Sequence, residues 1–255
     1  LKAYSNEQLL LRIIEAETYY SYKNSPVQLL NIKLTTYDDV GQKGAVLTSN
    51  RAEILESGEI FLNGEVDIQS KNGALHKINT ESLILHSDNN QIKSNSKLIY
   101  FDENAKIYAQ GMEMNIKNDT ISLLGDIHIE QESGSIIKSR NIFVNHTNGE
   151  KHYESKEKTI YLSNGNTVKA DKGIDLNMNE NLMKLFGYVE ILNNSGTSIE
   201  SYNVIVDQSN EGEIYKSNEL THYQTKLSDI VAQNVHYNAK TKIIKLTNEV
   251  IGHFE

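Results

Sequence analysis

Along most of this chain apolar residues alternate with polar ones at a period of two, the spacing of a strand that buries one face. The pattern is clearest in Ile60-Phe61-Leu62-Asn63-Gly64-Glu65-Val66-Asp67-Ile68. It returns as Ile121-Ser122-Leu123-Leu124-Gly125-Asp126-Ile127-His128-Ile129 and as Met183-Lys184-Leu185-Phe186-Gly187-Tyr188-Val189-Glu190-Ile191. A worn fourth copy is Ile244-Lys245-Leu246-Thr247-Asn248-Glu249-Val250. The pivots Gly64, Gly125, Gly187 and Asn248 stand 61, 62 and 61 residues apart. Gly and Asn tolerate positive φ best, so each pivot predicts a bulge or sharp bend inside a strand. Evenly spaced copies of one unit predict a stacked repeat.

Two further elements recur in each unit. Ile92-Lys93-Ser94-Asn95, leading to Leu98 and Phe101, is echoed by Val27 to Tyr37, by Tyr153 to Leu162 and by Tyr215 to Tyr223. Ile107-Tyr108-Ala109 is echoed by Val168-Lys169-Ala170 and Ile230-Val231-Ala232. Polar clusters between them, such as Asp38-Asp39-Val40-Gly41, Ser87-Asp88-Asn89-Asn90, Asp102-Glu103-Asn104 and Asn193-Asn194-Ser195-Gly196, predict turns. Near the N-terminus, Leu9, Leu10, Ile13 and Ile14 also satisfy helical spacing, but Ile14 to Tyr20 aligns with the strands at Ile78, Ile137 and Ile199. Gln8 to Tyr20 is therefore expected to be extended, with Ser5-Asn6-Glu7 as a turn after a short opening strand. Strands of about 5–6 residues give about two dozen in all, too many for one flat sheet, so the sheet should curl into facing layers. A unit holding several unequal hairpins suits an antiparallel jelly-roll-like stack better than a parallel β-helix. The expected fold is all-β: an extended, twisted antiparallel β-jelly roll of stacked repeats, open at both ends.

Composition narrows the chemistry. The formal charge of −9 argues against nucleic acid as a partner. With no cysteine there is neither a disulfide framework nor zinc-ribbon spacing, and the single proline, Pro26, leaves nearly every backbone N–H available to a sheet. No run reaches the roughly 18 apolar residues of a transmembrane helix. The chain opens on Leu1, so any leader or anchor is expected upstream. The histidines His76, His86, His128, His146, His152, His222, His236 and His253 show no metal-ligand spacing and are expected to be solvated. Asp38-Asp39 and Glu130-Gln131-Glu132 have the spacing of metal or acid–base pairs, but Asp38-Asp39 falls in a predicted turn, where Asp is expected for backbone reasons alone. No phosphate loop, dinucleotide fingerprint or nucleophile elbow occurs. No catalytic residue, metal or cofactor is expected.

What remains is a set of apolar rows. Leu62, Leu123, Leu185 and Leu246 hold one repeat position, and Val66, Ile127, Val189 and Val250 another. Leu83, Ile142 and Val204 form a third row, with Leu85, Val144 and Val206 two residues on. These rows are either a core that holds the sheets together or an apolar trough wide enough for hydrocarbon; patterning alone leaves both open.

The pattern I-x-L-x-G-x-V-x-I with strand starts such as Ile107-Tyr108-Ala109 resembles the OstA-like module of the periplasmic lipopolysaccharide-transport bridge family, that of LptA and LptC. The span Thr35-Thr36-Tyr37-Asp38 to Arg51-Ala52, followed by Leu62-Asn63-Gly64-Glu65-Val66, is similar to the LptC pattern. Residues 135–255 look more like LptA, continuous with an LptC-like part at 1–134, as in a fused or extended form. Asn248 departs from the glycine of the pattern. The resemblance implies a protein without enzymatic activity that binds lipopolysaccharide acyl chains along the rows above. It implies a place in the periplasm, with an inner-membrane anchor to be sought upstream. The implied partners are the inner-membrane lipopolysaccharide ABC transporter, the outer-membrane translocon, and another Lpt module or a second copy joined edge to edge. The edges expected to pair are Lys2 to Tyr4, Gln8 to Ile14 and Ile243 to Ile251. The competing function is a structural β-repeat scaffold or adhesin with a solid core. A carbohydrate-active β-helix is a third, for which no carboxylate pair presents itself.

Overall fold

The computed structural model describes residues 1–4, 10–38, 40–70, 77–86, 90–209 and 212–254. Among them are 24 strands and one 3-10 turn, Thr147–Gly149, with no α-helix. Each of these strands pairs antiparallel with at least one neighbour. This is the antiparallel all-β, jelly-roll architecture that the alternation predicts. The helical spacing near the N-terminus resolves into the strands Lys2–Tyr4 and Leu10–Tyr20. The turn expected at Ser5-Asn6-Glu7, Asp39 of the Asp38 turn, and Ser87-Asp88-Asn89 lie outside the described residues.

The chain forms two compact units, Leu1–Ile127 with Val144–Gly149, and His128–Phe143 with Glu150–Glu255. In the second, Leu182–Asn193 pairs with Ser198–Asp207 along its length except for a register shift between Leu185 and Tyr188. Gly187 sits there at φ 76° and Asn203 opposite at φ 49°, and the Gly187 N–H donates to Asn203 Oδ1 at 3.1 Å. The two bulges face each other and bend the pair, as the pivot glycine predicts.

Each half of the bent pair recruits its own neighbours. Beyond Leu182 to Leu185 lie Ile174–Asn177 and His152–Ser155; beyond Val204 to Asp207 lie Ile214–Ser217, Asn234–Asn238 and Ile243–Thr247. These make a first face. Beyond Val189 to Asn193 lie Asn166–Ala170 and Thr159–Ser163; beyond Ser198 to Ser201 lie Thr221–Gln224, Ser228–Ala232 and Ile251–Phe254. These make a second face, and the apolar rows point between the two.

The first unit repeats the plan. Ile60–Ser70 and Lys77–Leu85 shift register between Asn63 and Val66, with Gly64 at φ 79°. Gln91–Ser94 and Gly111–Asn115 extend one face; Leu98–Asp102 and Ala105–Ala109 extend the other. The echo read at Val27 to Tyr37 differs here. Val27–Tyr37 is one unbroken strand bent at Asn31 (φ 49°), and it joins Leu10–Tyr20 and Lys43–Ile54 in a meander of long strands.

Candidate functional site

The predicted rows meet in the interior of each unit. Leu62, Val66, Leu83, Leu85, Leu123, Ile127 and Val144 line the first unit, and Ile142, Leu185, Val189, Val204 and Val206 the second, none more than 3% exposed. Period-two alternation carries them inward on both sides of each bulge, while neighbours such as Lys184, Phe186 and Tyr188 face out. The fourth copy departs from this pattern. Leu246 is half-buried and Val250 is 53% exposed, so Val250 does not join its row. The strand breaks at Asn248 (φ 63°) and Glu249 (φ 50°), which leaves Val250 between Ile243–Thr247 and Ile251–Phe254 rather than within a strand. Ile243, Ile251 and Phe254 beside it are also exposed.

Hydroxyl groups fasten the side where the chain crosses from one face to the other. Ser155 Oγ donates to the Arg140 carbonyl at 2.7 Å and accepts the Glu157 N–H at 3.1 Å. Ser139 Oγ donates to Ser155 Oγ at 3.0 Å and lies 2.9 Å from Thr159 Oγ1. Ser217 repeats this with the Tyr202 carbonyl (2.6 Å) and the Glu219 N–H (3.1 Å), and Ser94 with the Ser82 carbonyl (2.7 Å) and the Ser96 N–H (3.1 Å). Buried hydroxyls are tolerated in an apolar interior because each is bonded in this way. The signal was in the chain: Ser94, Ser155 and Ser217 are 61 and 62 residues apart.

The opposite side, where both faces end in turns, carries side-chain contacts that sequence reading missed. In the first unit Tyr100 Oη lies 3.2 Å from His146 Nε2, with the rings stacked at 6.1 Å. His146 was expected to be solvated; it is 1% exposed, because Tyr100 reaches across the interior to cover it. In the second unit Gln208 Nε2 donates to Tyr161 Oη at 2.7 Å, and Tyr161 Oη donates to Glu213 Oε1. Ser163 Oγ donates to Glu213 Oε1 and Tyr215 Oη to Glu213 Oε2, both at 2.7 Å. Burial first, and the Glu213 charge second, push the Tyr161 and Tyr215 hydroxyls far above their ordinary range, so both stay protonated donors.

Four histidines sit at the surface beside a carboxylate. His86 meets Glu59 at 3.1 Å, His128 meets Glu130 at 3.2 Å, His222 meets Asp229 at 2.5 Å, and His152 meets Asp175. Among the described residues no group of three or more such side chains could hold a metal ion; His76 lies outside them. Asp38 Oδ1 accepts the Val40 and Gln42 N–H groups at 3.0 and 2.7 Å, the turn role expected for it. Among the described residues no helix is long and apolar enough to cross a membrane.

Each unit is thus a folded-over sheet with an apolar interior and polar fastenings along both sides. A comparison with curated proteins finds no match. A family model described as lipopolysaccharide-assembly, LptC-related, matches residues 2–132, which is 131 of the 255 residues. With just over half of the chain matched and an antiparallel all-β fold in agreement, the protein belongs to the LptC-related family of lipopolysaccharide assembly.

Proposed function

We propose that the interior rows take up the acyl chains of lipopolysaccharide and pass them across the periplasm towards the outer membrane. The family gives a role in lipopolysaccharide transport; the finer reading rests on the two-faced interior. In each unit, side chains of Leu, Ile and Val from two facing layers meet along strands that run the length of the layers. Burying hydrocarbon contributes about 0.8 kcal/mol per CH₂, so an acyl chain of a dozen carbons gains roughly 10 kcal/mol before ordering costs. An exposed ion pair contributes about 0–1 kcal/mol. With a formal charge of −9, head-group attraction is no substitute for acyl burial.

In this scheme residues 1–134 act as an LptC-like module and 135–255 as an LptA-like one. Together they form part of a bridge between the inner-membrane transporter and the outer-membrane translocon. Edge strands join it to its neighbours, because an unpaired edge is a template for another strand. One observation favours the rival scaffold: the rows are closed to solvent, as a solid core would be. Mass spectrometry of protein extracted gently from membranes separates the two. Bound lipopolysaccharide is expected; a stable, folded and consistently lipid-free protein would favour the scaffold.

A further inference from the structure

An acyl chain can reach rows that are at most 3% exposed only if the two faces part somewhere. The two sides of the second unit resist parting very differently. At the bend, Leu182–Asn193 and Ser198–Asp207 run through from one face to the other, and the Ser155 and Ser217 hydroxyls tie down the crossing turns. Opening there would tear backbone ladders. On the opposite side no strand pairing joins the two rims among the described residues. The first face supplies Gln208, Glu213 and Tyr237; the second supplies Tyr161, Ser163 and Asn166. They meet through the Glu213 contacts above and through Tyr237 Oη donating to Asn166 Oδ1 at 3.4 Å.

The first unit holds the same contact in simpler form. Tyr100 and Tyr161 are 61 residues apart, and His146 and Gln208 are 62 apart. The His146 N–H donates to the Asp119 carbonyl at 3.0 Å, as the Gln208 N–H does to that of Asn181 at 2.8 Å. In both units a tyrosine from one face reaches a polar side chain on the rim of the other. A contact built twice at the repeat spacing belongs to the plan of the fold.

We propose that the Tyr161–Gln208–Glu213 contact is a side latch, which parts to admit a hydrocarbon chain laterally and closes behind it. The proposal rests on the lipid-binding reading of the interior. Opening exchanges a few side-chain hydrogen bonds for bonds to water and leaves every strand pairing intact. Glu213 gives the latch its strength, since it accepts three hydroxyl donors, and also its reversibility, since a carboxylate is well solvated once exposed.

The chain has no cysteine, so an introduced pair is unambiguous. Ser163→Cys with Glu213→Cys, oxidised to mixed disulfides with a short bis-thiosulfonate spacer that replaces the reach of the glutamate side chain, locks the latch. Ser139→Cys with Ser155→Cys, treated alike, locks the bend instead. Uptake of fluorescently labelled lipopolysaccharide is followed by each protein, oxidised and reduced. The latch pair is expected to load at least tenfold more slowly when oxidised and to recover on reduction, while the bend pair loads alike in both states. Equal loading by the oxidised and reduced latch pair overturns the proposal, as does equal slowing by the two locks. Should the latch pair fail to fold, Tyr161→Phe with Gln208→Ala tests it from the other side: several-fold faster loading is expected, and an unchanged rate overturns it. No uptake by the parent chain would sink the lipid reading and the latch together; uptake indifferent to the lock sinks the latch alone.

Discussion

At the scale of single residues, backbone conformation and burial make the sharpest demands. Gly187 holds φ 76° at the bend, and a Cβ there would meet Asp171 Oδ1, which already accepts the Tyr188 N–H at 2.7 Å. Gly196 holds a similar φ of 84° in a turn with nothing near its missing Cβ. Both alanine substitutions carry the left-handed strain of about 1–2 kcal/mol. Only Gly187→Ala also displaces Asp171 from its hydrogen bond to the Tyr188 N–H, for a total of about 2–3 kcal/mol, and urea denaturation should rank the two in that order. Asp119 offers a pH test. Burial raises its carboxyl to about 6, whereas in the unfolded chain it titrates near 4. Between those values the unfolded state binds fewer protons, so stability falls as pH rises through the window and stays lowered above it. Asp119→Asn keeps the φ of 50°, which Asn181 holds (φ 52°) one repeat on. The variant should be more stable by about 1–3 kcal/mol at pH 7, and the gain should vanish near pH 4.

At the scale of elements, the period-two pattern was enough to predict the repeating strands, because a half-buried strand writes its two faces directly into the sequence. The strands Gly111–Asn115, Ile174–Asn177 and Asn234–Asn238, too short to show a period, were not singled out. Pivots were legible for the same reason: Gly64 and Gly187 interrupt an alternation that resumes in phase. Val27–Tyr37 was harder, since whether an apolar run bends or breaks depends on a cross-strand partner that the run itself does not name. The fourth copy was misjudged at Val250 because alternation cannot show that the strand ends at Thr247. The consequence is an exposed apolar edge, with Ile243, Ile251 and Phe254 on the two last strands. Concentration-dependent association through that edge is expected, and Ile251→Lys should weaken it at least roughly tenfold, as charge on an edge strand does. Sedimentation velocity over a range of concentrations reads this directly; unchanged association would place the contact elsewhere.

At the scale of the whole molecule, the inward rows could be read from the sequence and the fastenings could not. Twelve of the fourteen predicted positions are buried because repeat spacing and strand parity together determine which side chains share a face. Tyr161 and Glu213 lie 52 residues apart, and no local pattern links them; only folding the sheet at the bend brings them together. Whether the rows hold lipid is tested most directly by a photo-crosslinking residue placed at alternate positions of one strand. At Leu185 and Val189 it should capture lipopolysaccharide, and at Lys184 and Tyr188, one residue away on the outer side, it should capture little. Equal labelling of both sets, or none at the inward sites of a folded protein that is exposed to lipopolysaccharide, would contradict lipid transport through the interior.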